Sequence, residues 1–91
     1  QPQRFVPDPA MLVGLVPDQL QNLVGIPGAI REAPPATVWM YFGSGCVFEI
    51  YLYREVNGEA LRALGYGILG TGQTADHKRA CFGQIWQGGA D

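Results

Sequence analysis

The sequence has little charge and few of the side chains that carry enzyme chemistry. Charged residues make up 15% of the 91 residues, and the net charge is −2. An average soluble domain has about a quarter of its residues charged. Phosphate binding needs clustered lysine and arginine, whereas the six basic residues here are scattered. We therefore expect no nucleic-acid partner. No apolar run reaches the roughly 18 residues of a membrane-spanning helix.

The only serine and the only histidine do not make a convincing catalytic set. Ser44 lies between two glycines at a turn, and His77 lies near the start of a helix that is distant in sequence. A nucleophilic serine needs a base within hydrogen-bond reach. We therefore interpret Ser44 as a turn residue and His77 as a solvent-exposed helix residue.

Two further motifs have structural explanations. Glu49 is isolated among strand aromatics, and a lone carboxylate does not supply the paired acid and base of hydrolysis. We expect it on the solvent face or paired with Arg54 or Arg62. Residues 65–70 spell GxGxxG, but Gly65 and Gly67 lie inside a predicted strand rather than between a strand and a helix. We expect no dinucleotide site, no cofactor and no enzyme activity.

Cysteine is scarce, and the two cysteines, Cys46 and Cys81, are far apart in sequence. With one histidine they cannot build a four-ligand zinc site, so we expect no metal. Two interpretations stay open, namely two buried thiols or a disulfide. Cys46 falls on the core face of its strand and Cys81 on the apolar face of a later helix, which favours the disulfide. Such a bridge would stabilise the fold by about 3–4 kcal/mol and indicates an oxidising compartment.

The strongest positive signal is a β-hairpin between Thr37 and Tyr53. Two runs rich in aromatic and β-branched residues flank the turn Gly43-Ser44-Gly45. In the second run the alternation predicts one core face and one partly solvated face. The core face carries Cys46, Phe48, Ile50 and Leu52, and the other face carries Val47, Glu49, Tyr51 and Tyr53.

The rest of the chain predicts a proline-rich leader or tether, residues 1–10, followed by a single α+β domain, residues 11–91. The predicted order is α-β-β-β-α, with a three-stranded antiparallel sheet. A short helix begins near Pro17 and ends at Gly25. The pattern leaves open which face of the third strand is core. The other predicted segments are a loop over 28–35 with at most one helical turn, a third strand over 61–69, and a final helix after Thr74.

Five aromatic residues remain once the core is assigned. They either cover a sheet face as amphipathic side chains or contact a partner, because tyrosine and tryptophan dominate interface hot spots. The predicted partner contacts are Trp39, Tyr41, Tyr51, Tyr53 and Tyr66.

The run from Gly14 to Pro27, GLVPDQLQNLVGIP, resembles the opening of the small outer-membrane lipoproteins of the BamE/SmpA/OmlA type. In that family a short helix is followed by (L/V)-x-x-L-(L/V)-G-x-P and then by a W-x-Y strand, matched here by Trp39-Met40-Tyr41. The chain is also similar to small bacterial proteins of the form LGxP…WxY…C…C, whose cysteine placement Cys46 and Cys81 repeat.

This resemblance implies helices packed on a three-stranded antiparallel sheet and a periplasmic location. It also implies a lipid anchor before the leader, which would be the chain's one link to the outer membrane. The expected function is non-catalytic binding to a larger protein complex of the bacterial envelope through an aromatic sheet face. The fold also resembles the repeat unit of the secreted β-lactamase inhibitor protein, so the alternative is a secreted or periplasmic enzyme inhibitor.

Overall fold

The structure, a computed structural model, describes residues 7–58, 60–70 and 72–87. Within these residues the chain forms one 3₁₀ helix, two α-helices and a four-stranded antiparallel sheet of strand order β1-β2-β3-β4. The predicted α+β class is confirmed, and the predicted three strands are corrected to four. None of the described helices is long and apolar enough to cross a membrane. The elements are the 3₁₀ helix Pro9–Leu12, α1 Pro17–Val24, β1 Ala29–Ala33, β2 Ala36–Gly43, β3 Cys46–Arg54, β4 Leu61–Gly70 and α2 Ala75–Ile85.

The additional strand, β1, lies where the sequence predicts a loop or one helical turn. Alanine, arginine and glutamate favour helix locally, but here the segment pairs with β2 from Ala29, opposite Met40, to Ala33, opposite Ala36. Pro34 and Pro35, joined by a cis peptide bond, form the turn between the two strands. The pairing with β2 therefore overrides a weak local preference.

The central hairpin forms as predicted. β2 and β3 pair antiparallel, with Trp39 opposite Ile50 and Tyr41 opposite Phe48. Ser44 and Gly45 make the turn, and Gly45 has a φ of +77°, a conformation that glycine adopts without a steric penalty. This hairpin supplies the two inner strands of the sheet.

β4 interrupts its alternation with a β-bulge. Ala63 lies opposite Leu52 and Gly65 lies opposite Tyr51, so Leu64 has no residue opposite it. The extra residue places Ala63 on the same face as Ile68, and both are buried. This settles which side chains of the third predicted strand are core, a question that strict alternation could not answer.

Both helices begin close to the predicted residues, and α1 also ends where the sequence predicts. α1 starts at Pro17, where the Gln19 side chain accepts a hydrogen bond from the Val16 N–H at 3.1 Å. It ends before Gly25, which has a φ of +82°. α2 is capped by Thr74, whose hydroxyl oxygen accepts a hydrogen bond from the His77 N–H. These caps satisfy backbone groups that helix ends leave without partners.

The helices pack on one face of the sheet, which we call the covered face. Phe48, Ile50 and Leu52 on this face are 0% exposed. The disulfide Cys46–Cys81 joins the start of β3 to α2, which confirms the bridge and rules out two free thiols. The strand residues of the core cluster are Trp39, Tyr41, Phe48, Ile50, Leu52, Ala63 and Ile68, and its helix residues are Leu12, Leu20, Val24, Cys81, Phe82 and Ile85.

Two residues of the predicted leader, Asp8 and Pro9, make contacts with the folded domain. Pro9 is buried at the start of the 3₁₀ helix. Asp8 caps this helix and forms an ion pair with Arg79 of α2 at 3.1 Å. Residues 1–6 of the predicted leader lie outside the described residues. Asp8 and Pro9 of the predicted leader therefore belong to the folded domain.

Candidate functional site

The second face of the sheet, which we call the open face, carries no helix in the described parts of the chain. Its side chains follow from the register, because directly opposite residues of antiparallel strands share a face. The register gives four rows across the sheet: Ala33-Ala36-Tyr53-Arg62, Arg31-Val38-Tyr51-Gly65, Ala29-Met40-Glu49-Gly67, and Phe42-Val47-Leu69.

The centre of the open face holds a buried carboxylate. Glu49 is only 3% exposed, although no helix covers it in the described residues. Its Oε1 accepts a hydrogen bond from the Tyr51 hydroxyl at 2.8 Å, and its Oε2 lies 3.4 Å from the Arg31 guanidinium. The predicted partners, Arg54 and Arg62, are replaced by Arg31. Both oxygens of this carboxylate therefore have partners, as a buried charge requires.

Two glycines of β4 make room for this arrangement. A Cβ at Gly67 would lie 2.9 Å from the Tyr51 hydroxyl oxygen, and one at Gly65 would lie 3.5 Å from the Tyr51 ring. The ring of Tyr51 therefore lies across a strip without side chains and reaches Glu49. Burial raises the pKa of Tyr51 to about 12, and the hydrogen bond to Glu49 adds to this shift.

The charges on the open face are balanced within the domain. Arg31 is paired with Glu49, and Arg62 forms an ion pair with Glu55. Arg62 also donates a hydrogen bond to the Gly14 carbonyl oxygen at 2.6 Å. The guanidinium groups of Arg31 and Arg62 are therefore already engaged, and they do not form a free basic patch for an anionic ligand.

Around this polar centre the face is apolar and partly exposed. Phe42 is 59% exposed and Leu69 is 50% exposed. Val47 is half-buried beside them, and Tyr53 is half-buried at the opposite end of the face. A four-stranded sheet with strands about 4.8 Å apart and about eight residues long presents a face of roughly 500 Å². Exposed apolar side chains occupy part of this area, and contiguous apolar patches on the surface of a monomer often mark interaction sites.

The five aromatic residues predicted as partner contacts lie on different faces. Trp39 and Tyr41 are 6% and 4% exposed in the core. The Tyr41 hydroxyl donates to the Gly25 carbonyl oxygen at 2.8 Å, and burial raises the pKa of this hydroxyl well above its ordinary value. A partner that binds the folded domain does not reach these two side chains. Tyr51 and Tyr53 lie on the open face.

Tyr66 lies on the covered face, on the side towards α2. Its ring stacks on Phe48 with the ring centroids 5.9 Å apart. The Lys78 ammonium lies 5.8 Å from the centroid of the same ring. Tyr66 is therefore a half-buried packing residue rather than part of the open face.

The candidate catalytic residues do not form a catalytic arrangement in the described chain. Ser44 and His77 line the same shallow cavity of about 140 Å³ beside the disulfide. The His77 Nδ1 is hydrogen-bonded to the Thr74 hydroxyl at 2.6 Å, and no hydrogen bond joins Ser44 to His77. Among the residues that the structure describes, no cluster of histidine, cysteine, aspartate and glutamate could hold a metal ion.

Several open-face residues were missed from the sequence. Phe42 and Leu69 were not predicted as contacts, and Arg31 was assigned to a loop. Phe42 could have been found by extending the alternation of β2 outward from Met40. The paired glycines Gly65 and Gly67 were a further signal, because glycines on one face of a strand leave space for a large neighbour.

Comparison with known proteins identifies no relative: no protein-family model, curated protein or solved structure gives a significant match to the chain. The resemblance to the BamE/SmpA/OmlA lipoproteins therefore stays a prediction from short motifs.

Proposed function

We propose that this protein is a non-catalytic binding protein that contacts a larger protein partner through the open face. The observation that carries this proposal is the asymmetry of the sheet. Helices cover one face. The other face presents apolar and aromatic side chains around the ion pair between Arg31 and Glu49. Such a surface favours another protein with an apolar patch over a charged ligand.

The candidate contacts are the open-face residues that retain exposure. Tyrosine and phenylalanine contribute large contact areas with little loss of conformational freedom, which is why they dominate interface energetics. Tyr51 is held in place by Glu49 and by the glycine strip, so it pays little additional ordering cost on binding. The proposed contact set is Met40, Phe42, Val47, Tyr51, Tyr53 and Leu69.

The disulfide supports an oxidising location for this function, because such bonds persist in the periplasm and outside the cell and are rare in the cytosol. We propose the periplasm, with a complex of the bacterial envelope as the partner. Alkylation of intact source cells, followed by fractionation and mass spectrometry, tests the location. Recovery of the protein in the cytosolic fraction with both cysteines alkylated contradicts it.

The binding function is tested by site-specific photocrosslinking in an envelope extract of the source cells. A benzoylphenylalanine at Tyr53 is expected to crosslink to one defined protein. The same group at Val56, which is 98% exposed in the turn between β3 and β4, is the control. Failure to crosslink from Tyr53, or the same crosslinks from both positions, contradicts the proposal.

A matched pair of variants then tests which surface is used. Leu69→Glu places a charge on the half-exposed rim of the open face, and Val56→Glu places the same charge in the turn. We expect Leu69→Glu to weaken the isolated complex at least about tenfold, and Val56→Glu to leave it unchanged. If the captured partner is a hydrolase that loses activity in the complex, the protein is an inhibitor that uses the same face.

A further inference from the structure

The two edge strands of the sheet differ in whether another segment of the chain forms hydrogen bonds with them. At the β4 edge, the Gly14 N–H donates to the Ala63 carbonyl oxygen at 2.7 Å, and the Ala63 N–H donates to the Leu15 carbonyl oxygen at 2.9 Å. The segment before α1 thus pairs with β4 by strand-like hydrogen bonds. At the other edge, β1 is paired only with β2 among the described residues.

An edge strand exposes backbone groups in a regular row. In an antiparallel pair, alternate residues direct their N–H and C=O groups away from the neighbouring strand. β1 is five residues long, so part of its backbone is available to an added strand. Natural proteins often protect such edges with charged side chains or with a covering segment.

The two charged side chains of β1 are exposed to solvent, but both make contacts with other strands of the sheet. The Arg31 guanidinium is directed over the sheet to Glu49, and the Glu32 carboxylate accepts a hydrogen bond from the Thr37 hydroxyl at 3.0 Å. Both charged groups are thus held by residues of the sheet interior. Ile30, which directly precedes them in sequence, is 57% exposed. The edge therefore combines unpaired backbone with an exposed apolar side chain.

A cavity adjoins the start of this edge. Gly28, directly before β1, is one of its lining residues, together with Ile26 and Phe42. The cavity has a volume of about 320 Å³ and is also lined by Val24 and Trp86. Ile26 is 80% exposed at its rim. An extended chain laid along β1 would continue past Gly28 to this cavity.

We propose that the β1 edge and the adjoining cavity bind an extended segment of another protein by β-strand addition. Main-chain hydrogen bonds to β1 supply affinity, and an apolar side chain of the segment enters the cavity beside Gly28. The occupant is a peptide segment rather than a second copy of this chain. Two copies joined only through their five-residue β1 strands would bury far less than the roughly 800 Å² per partner of a stable dimer, whereas an extended segment can pair with β1 and also fill the cavity beside Gly28.

This site shares Phe42 with the open face but uses the backbone of β1, and it is tested with a defined probe. A blocked heptapeptide of alternating leucine and threonine is titrated into ¹⁵N-labelled protein. We expect the amide resonances of Gly28, Ile30 and Glu32 to shift. The same peptide, N-methylated at its central residues, cannot donate main-chain hydrogen bonds from those residues and should bind at least about tenfold more weakly.

A pair of lysine variants assigns the binding to the edge. Ile30→Lys introduces the residue that natural edge strands use against strand addition, and Val56→Lys is the control at a 98% exposed position. We expect Ile30→Lys to weaken peptide binding at least about tenfold and Val56→Lys to leave it unchanged. If Ile30→Lys does not fold, the N-methylated peptide on the native protein still decides the question.

Three results would overturn the proposal: no shift of β1 resonances at millimolar peptide, equal binding of the N-methylated peptide, or shifts confined to Tyr51, Tyr53 and Leu69. The last result points to the open face alone. Conversely, Leu69→Glu should leave peptide binding at β1 intact, so that failure of the open-face function and failure of this site are distinguishable.

Discussion

The covered face and the open face belong to the same strands, yet each buries its central residues in a different way. On the covered face, Phe48 is 0% exposed because α2 lies over it, with the rings of Phe48 and Phe82 5.3 Å apart. On the open face, Glu49 is 3% exposed because Tyr51 and Arg31 lie beside it. The first kind of burial needs another layer of structure, whereas the second needs only neighbours within the sheet.

This difference teaches what each face can do. A layer of helices leaves no surface for a partner, and its loss exposes the hydrophobic core. A face covered only by its own side chains stays accessible, and a partner can add the missing layer. The predictions below separate the two faces by the size of the effect that a substitution has on stability.

The largest effect is expected from truncation on the covered face. Phe48→Ala removes a fully buried ring that contacts Tyr66 and Phe82, and should lower the free energy of unfolding by about 3–5 kcal/mol. Phe42→Ala, at the exposed end of the open face, should cost less than about 1 kcal/mol. Urea denaturation measures both, and similar losses for the two variants would remove the distinction between the faces.

The disulfide is expected to contribute almost as much to the free energy of unfolding as the buried ring of Phe48. Replacing Cys46 and Cys81 together by alanine releases α2 from the start of β3. The free energy of unfolding should fall by about 3–4 kcal/mol, mainly because the unfolded chain regains freedom. The protein with its native sequence and a reduced disulfide should unfold at about the same urea concentration as this double variant. A loss below about 1 kcal/mol in both cases would show that packing alone holds α2 in place.

On the open face, two neighbouring glycines should respond differently to the same substitution. Gly67→Ala places a Cβ 2.9 Å from the Tyr51 hydroxyl and should displace it from Glu49, at a cost of about 1–2 kcal/mol. Gly65→Ala meets the Tyr51 ring at an ordinary 3.5 Å and should be neutral or slightly stabilising. Thermal unfolding of the pair checks this, and equal effects would contradict the position assigned to Tyr51.

The smallest expected effect is a loss of folding stability at alkaline pH. The pKa of Tyr51 is raised to about 12 in the folded protein from its ordinary 10.0. The neutral phenol is therefore favoured in the folded state, and its contribution to stability is present below pH 10 and is lost as the pH rises through 12. An NMR titration of the Tyr51 Cζ resonance measures this pKa. Glu49→Ala should lower it towards 10, and an unchanged value would mean that Glu49 has no part in the shift.

The sequence predicted those features that depend on local patterns. Alternation in residues 46–53 identified the core face of β3, and α1 and α2 were found from capping and breaking residues such as Pro17, Gly25 and Thr74. The disulfide was favoured because each cysteine lay on an apolar face. These signals are contained within a few residues, so no knowledge of the tertiary structure was needed.

The features that were missed depend on pairing between distant segments. β1 was assigned to a loop with at most one helical turn, because Pro34 and Pro35 end any helix there. Only its pairing with β2 makes it a strand. With β1 missing, Arg31 could not be recognised as the partner of Glu49. The bulge at Leu64 changed the faces of β4. The open face was therefore predicted only in part, through the β3 residues Val47, Glu49, Tyr51 and Tyr53.

The most direct test of the proposed function is hydroxyl-radical footprinting of the protein alone and in the complex isolated by crosslinking. Phe42 and Leu69 on the open face are expected to become protected in the complex. Met11 and Val13, which are 40% and 47% exposed near the 3₁₀ helix, should keep their reactivity. Protection confined to Met11 and Val13, with the open face unchanged, would contradict a partner bound to the helix-free side of the sheet.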